Sequence, residues 1–205
     1  MPHKALILVD LQYDFCPGGA LEVARGDETI AVANRVARHF ELVVATQDWH
    51  PADHGSFAAN HEGAEPYQVI DLNGLQQVLW PVHCVQGTRG AAFHDDLTAT
   101  VTKVFPKGTD ATVDSYSGFW DNGKRKPTGL APWLREQGVR AVYVLGLATD
   151  YCVKFTALDA CGEGFATFLI EDGCRAVNLV AGDGERAIDD MRSSGVVVVE
   201  SAQIA

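Results

Sequence analysis

The sequence has no C-x-x-C pair. Its five cysteines, Cys16, Cys84, Cys152, Cys161 and Cys174, are odd in number and widely spread over 205 residues. That argues against a disulfide framework and a dithiol redox centre, and it fits a reducing, cytoplasmic setting. Basic residues are scarce: 16 Lys and Arg stand against 27 Asp and Glu, a formal charge of -11. Nucleic acid and anionic membrane both need a basic surface, so neither is an expected partner. The run Lys124-Arg125-Lys126 sits between Asp121 and Pro127 and reads as a solvated loop. No apolar stretch approaches the roughly 18 residues of a membrane span. The first such run, Ala5 to Val9, stops at Asp10 and is too short for a signal peptide. G-x-G-x-x-G is missing after that run, as is G-x-x-x-x-G-K-[ST], which disfavours a nucleotide-binding module. There is no internal repeat and no low-complexity segment. What remains is one domain over residues 1–205 of ordinary globular composition, 47% hydrophobic.

Ala5 to Val9 is apolar without alternation, as a strand covered on both faces should be. Further strands are expected at 42–45, 101–105, 142–145, 165–170 and 196–199. Helices are expected at 27–40, capped by Asp27, at 128–137, ended by Gly138, and at 182–194. Another helix follows residues 142–145, with Thr149 and Asp150 as caps, and runs through Leu158. Strands alternating with helices predict an α/β fold: a single-domain, doubly wound, mainly parallel six-stranded sheet with helices on both faces. Residues 48–93 show little periodicity, and a segment that long without structure is rare unless functional.

In such sheets, sites form where strands end. Asp10 follows the first strand, Asp48 and His50 the second, Lys107 the third and Cys152 the fourth. Cys152 falls in the first turn of a helix, where unpaired N–H groups favour a thiolate. A thiol nucleophile needs a base or cation nearby; Asp10 could accept its proton and Lys107 could hold the anions. Taken singly, each has a plain structural reading as a loop-bonding aspartate, a surface lysine or a small buried cysteine. Asp48-x-His50-x-x-x-His54, with His83 further on, offers one carboxylate and three imidazoles, a donor set suited to Zn²⁺, Fe²⁺ or Mn²⁺. His61 is a reserve candidate in a surface turn.

Six motifs stand in one order along nearly the whole chain: Val9-Asp-Leu-Gln-Tyr-Asp-Phe15-Cys-Pro-Gly-Gly19, Ala45-Thr-Gln-Asp-Trp-His50, Trp80-Pro-Val-His-Cys84, Phe105-Pro-Lys-Gly108, Ser115-Tyr-Ser-Gly-Phe119 and Gly146-Leu-Ala-Thr-Asp-Tyr-Cys152. Together they resemble the nicotinamidases, within the isochorismatase-like cysteine hydrolases. The resemblance implies a catalytic triad of Asp10, Lys107 and Cys152. It implies metal ligands Asp48, His50, His54 and His83, with zinc first and iron or manganese as alternatives. It implies a cis peptide between Leu147 and Ala148, an oxyanion hole from the N–H groups of Ala148 and Cys152, and substrate contacts from Gln12, Phe15, Trp80 and Leu147. The implied reaction is hydrolysis of nicotinamide, and also pyrazinamide, in NAD salvage. Relatives acting on isochorismate or carbamoyl compounds are the nearest rivals, and they generally lack the metal ligands. The oligomeric state is left open.

Overall fold

The computed structural model describes residues 3–204. Six strands form one parallel sheet: β1 (Lys4–Val9), β2 (Val43–Asp48), β5 (Lys103–Lys107), β6 (Ala141–Leu147), β7 (Ala166–Arg175) and β8 (Val197–Val199), in the order β5-β2-β1-β6-β7-β8. A separate antiparallel hairpin joins β3 (Val69–Leu72) to β4 (Leu75–Val78). β1 is central, and Ala5 to Val9 are fully buried, which explains their unbroken apolar run.

From β1 the chain winds outward through α1 (Glu28–Ala37) to β2 and on to β5 at one edge. It returns through α2 (Leu130–Glu136) to β6, then moves the other way through α3 (Lys154–Gly162) and α4 (Asp183–Ser193) to β8. Right-handed crossovers in opposite directions put α1 on one face and α2, α3 and α4 on the other. The direction reverses between β1 and β6, so the crevice above those two strands is the topological switch point. No described helix is long and apolar enough to cross a membrane.

Several boundaries depart from the sequence expectation. β2 and β5 run on through polar residues to Asp48 and Lys107, which face each other across the ladder. Pro106 is tolerated inside β5 because β5 is an edge strand, where a missing N–H costs no ladder bond. Thr149 and Asp150 are not caps: they lie inside a wide π-type turn, Thr149–Val153, that precedes α3. Asp27 likewise makes no side-chain cap bond to α1. The hairpin was not expected. Its turn is Asn73-Gly74 with φ of 54° and 86°, the left-handed pair of a tight hairpin. The flanking residues do not alternate, so only the turn signalled it. Gly146 is required where it stands: its φ is 133°, and a Cβ there would come 2.1 Å from the Val9 carbonyl oxygen.

Candidate active site

Four strand ends deliver four side chains to one point. Asp10 leaves β1 with φ of 50°, a left-handed conformation rare for a residue with a side chain, and its carboxylate meets Thr46 of β2 and Lys107 of β5. Lys107, at the end of β5, is buried and sits among acceptors from every side. Its Nζ donates to Asp48 Oδ1 at 2.5 Å, to the Ser115 carbonyl at 3.1 Å and to Cys152 Sγ at 3.3 Å. An ammonium has three hydrogens, so these contacts use all of them. Asp10 Oδ2 lies 2.8 Å from the same nitrogen as an ion pair, yet it accepts no hydrogen bond of good geometry. Asp10 Oδ1 is held by the Thr46 hydroxyl at 2.7 Å. One carboxylate oxygen is therefore anchored and the other keeps a lone pair.

Electrostatics divide the roles. Burial pushes Asp10 up from the usual carboxylate range against the pull of Lys107, and the Asp48 charge adds to the rise. Burial also pushes Asp48 up, but Lys107 and His50 outweigh it and hold Asp48 well below that range. Burial pushes the Cys152 thiol far up; Lys107 opposes this, while Asp10 and Asp48 reinforce it. Lys107 stays charged because Asp10, Asp48 and Cys152 together outweigh its own burial. The two carboxylates that share one lysine thus shift in opposite directions, Asp10 toward holding a proton and Asp48 toward a fixed charge, beside a thiol pushed up by burial. Burial outweighs the pull of Lys107 on Cys84 and of Arg175 on Cys174, and both thiols are pushed up. Cys16 is pushed up to about 11 and Cys174 to about 12, mainly by burial.

A second cluster adjoins the first. Asp48 Oδ2 lies 3.5 Å from His50 Nε2 and 3.7 Å from His83 Nε2. His50 Nδ1 donates to the Gly108 carbonyl at 2.9 Å and His83 Nδ1 to the Pro81 carbonyl at 2.8 Å. Carbonyls only accept, so in the neutral form each ring turns an unprotonated Nε2 to the cluster, the tautomer a metal requires. His54 is placed differently. Its Nδ1 meets the Ser56 hydroxyl at 2.7 Å and its buried Nε2 has no partner. His54 groups with His50 and Asp114 within 4.8 Å, as Asp48 does with His50 and His83. Two converging imidazole nitrogens, a carboxylate and an orphaned buried imidazole nitrogen fit a divalent cation.

The pocket beside these clusters has apolar walls from Phe15, Leu21, Trp80, Tyr116, Tyr151 and Val177. Asp48, His83, Asp114, Ala148 and Cys152 complete its lining. Phe15 and Trp80 are where the sequence expected them, and the Leu147–Ala148 peptide is cis. The structure does not place Gln12 or Leu147 on the pocket wall. Leu147 is fully buried, with a methyl 3.3 Å from the space a Cβ on Gly26 would fill. Gln12 turns its amide to backbone groups of Asp48 and Ala91. His61 bonds the Gly55 carbonyl and joins neither metal-type group. Sequence reasoning missed Tyr116, Tyr151 and Asp114. Tyr116 and Tyr151 stand within the quoted motifs, so the signal existed; Asp114, just before Ser115, carried none.

A thiol, a neighbouring carboxylate base and a buried lysine at the switch point of a parallel sheet define a cysteine hydrolase, here with an adjoining metal-type ligand set. The chain belongs to the family of the Isochorismatase domain, whose model matches residues 4–203. Nicotinamidase from Escherichia coli is 51% identical over 203 residues, spanning 97% of this chain and 95% of that protein. A solved Acinetobacter baumanii nicotinamidase and pyrazinamidase is 48% identical with a TM-score of 0.96, covering 99% of this chain and 98% of that one. Pyrazinamidase of Pyrococcus horikoshii, solved in complex with zinc, is 41% identical with a TM-score of 0.79, covering 97% and 99%.

Asp10→Asn tests the division of roles. Turnover should fall by about 10²–10⁴-fold, because the amide cannot carry a proton. Thiol alkylation should move the other way. The Asp10 charge helps to push the thiol up, and Lys107 remains once it is gone, so the midpoint of the alkylation pH profile for Cys152 should shift down. Retained turnover would remove Asp10 as the base. Peptide mapping separates this thiol from Cys161, which is partly exposed.

Proposed function

We propose that this chain hydrolyses nicotinamide to nicotinate and ammonia through a thioester on Cys152, a step of NAD salvage, and that it deamidates pyrazinamide in the same pocket. The observation that carries this reading is the adjacency of two sites. A thiol, base and lysine lie beside a ligand set that can hold a heteroaromatic nitrogen, and Cys152, Asp48 and His83 line a pocket with aromatic walls. Amidases acting on aliphatic carbamoyl groups have no need of the second half. The high identity to enzymes named for nicotinamide supports the same substrate.

Cys152, Asp10 and Lys107 form the triad in this reading; Asp48, His50 and His83, with His54 beside them, form the metal site. A divalent cation held there, zinc first, would supply Lewis-acid character toward the pyridine nitrogen. Phe15 and Trp80 hold the ring, and the carboxamide lies over Cys152. The thiol passes its proton to Asp10 Oδ2 as Sγ attacks the carbonyl carbon. The N–H groups of Ala148 and Cys152 hold the resulting oxyanion. Asp10 returns the proton to the amide nitrogen, the C–N bond breaks and ammonia leaves. Water then attacks the thioester, losing a proton to Asp10, which hands it to the departing sulfur. Lys107, with all three hydrogens directed at acceptors, supplies charge and takes no part in the transfer.

Ammonia release from nicotinamide, against isochorismate and N-carbamoyl substrates, tests the reading directly; turnover of the rivals alone would overturn it. Chelation should abolish activity, and added Zn²⁺, Mn²⁺ or Fe²⁺ should restore it. Full activity in protein verified free of metal would exclude the proposed cation.

A further inference from the structure

The segment that follows β1 does more than carry the base. Asp10, Gln12 and Asp14 are alternate residues, and each side chain reaches a different limb of the site. Asp10 meets Lys107 and Thr46. Gln12, fully buried, reads the backbone of Asp48 on both sides: its Oε1 accepts the Asp48 N–H at 2.8 Å and its Nε2 donates to the Asp48 carbonyl at 2.8 Å. The same Nε2 also donates to the Ala91 carbonyl at 2.9 Å. Asp14 Oδ2 accepts the Cys84 N–H at 2.6 Å, one residue after His83, and its Oδ1 accepts the Ala20 N–H at 3.2 Å.

Strand pairing explains why Gln12 is needed. β2 pairs with β5 as far as Asp48, but its pairing with β1 ends at Leu8 and Ala45. On the β1 side, the Asp48 peptide groups would be buried without partners, each a substantial penalty. The Gln12 amide, carrying one donor face and one acceptor face like a peptide, replaces the missing strand. Asp14 performs the matching task for the turn at Cys84, whose φ is 46°, a costly conformation for a residue with a side chain.

We propose that Gln12 and Asp14 are positioning residues of the metal half of the site: they fix Asp48 and His83 relative to Asp10, so that one five-residue stretch sets the spacing between proton transfer and substrate anchoring. This rests on the reading of Asp48, His50 and His83 as metal ligands. Neither residue lines the pocket, so their substitution should act through metal binding rather than substrate contact.

The test uses Co²⁺ as the probe, with affinity measured by chelator competition and coordination by the visible absorption spectrum. Gln12→Met and Asp14→Asn should each weaken Co²⁺ binding about 10–100-fold, the usual effect of removing a group that orients a ligand, and should alter the spectrum. Thr167→Val is the control. It removes a buried hydrogen bond to the Phe165 carbonyl at the opposite end of the sheet, and should lower stability without changing Co²⁺ affinity or spectrum. Gln12→Asn, one methylene shorter, serves if Gln12→Met does not fold. Co²⁺ affinity and spectrum unchanged in the folded variants would overturn the proposal, as would a loss no greater than that of the control. A wild-type protein that binds no Co²⁺ would instead overturn the ligand assignment itself.

Discussion

Cys152→Ala should release no measurable ammonia from nicotinamide, a loss of about 10⁴–10⁶-fold, as when an enzyme loses its nucleophile. Affinity for nicotinamide should be retained, because the aromatic walls and the metal ligands are untouched. Sγ accepts a hydrogen bond from Lys107 at 3.3 Å, and alanine deletes that acceptor. The lysine keeps Asp48 and the Ser115 carbonyl, together with its ion pair to Asp10, so the charged group stays balanced and the fold should survive. Quench-flow with wild type should show an acyl-enzyme of 1:1 stoichiometry that the variant lacks. Multiple turnovers by Cys152→Ala would mean that water attacks the amide directly, and the thioester scheme would fall.

Lys107→Met is the second large effect, and it should appear in stability as well as rate. Methionine matches the length of the stem but leaves two carboxylates buried without their counter-ion. Breaking a buried ion pair from one side costs about 3–5 kcal/mol. For a domain of this size that is a fall in Tm on the order of 6–20 °C. The pH dependence has a definite sign. Lys107 lowers the proton affinity of Asp10, Asp48 and Cys152, so in its absence all three rise. A carboxylate raised above its unfolded value destabilises the fold while charged and is relieved once protonated. The Tm deficit relative to wild type should therefore shrink as pH is lowered from neutral toward the raised carboxylate range. A deficit independent of pH would show that the lysine contributes packing rather than charge.

The convergence of Asp10, Asp48, Lys107 and Cys152 was legible in the sequence for one reason. Apolar runs such as Ala5 to Val9 announce parallel strands, and a parallel sheet brings all its strand ends to one edge. Asp10, Asp48, Lys107 and Cys152 each stood next to such a run. Direction was less legible. Gln12 and Leu147 lie within one or two residues of the site in sequence, but one faces backbone and the other the core. Neither the chain's turn at Asp10 nor the cis peptide has a periodicity from which a facing can be read. The pocket wall suffered most. Asp114 and the β3–β4 hairpin sit in long stretches with no repeating face. There, Gln77 of the hairpin fixes the wall by donating to Asp114 at 3.0 Å and to the Tyr116 hydroxyl at 3.1 Å.

The strand order also has a consequence for synthesis. β1 is made before the other strands but lies in the middle of the sheet, and its partners in β6 stand 137 residues later in the chain, as in Lys4 with Ala141. Until β6 emerges, a half-sheet of β1, β2 and β5 presents its most apolar strand as an open edge, a template for pairing with another nascent chain. Asp10, Asp48, His50, His54, His83 and Lys107 are likewise all translated before Cys152. A ribosome-bound chain ending before β6 should thus be both chemically inert and prone to aggregate; β6 covers the open edge, and Cys152 follows in the turn just after it.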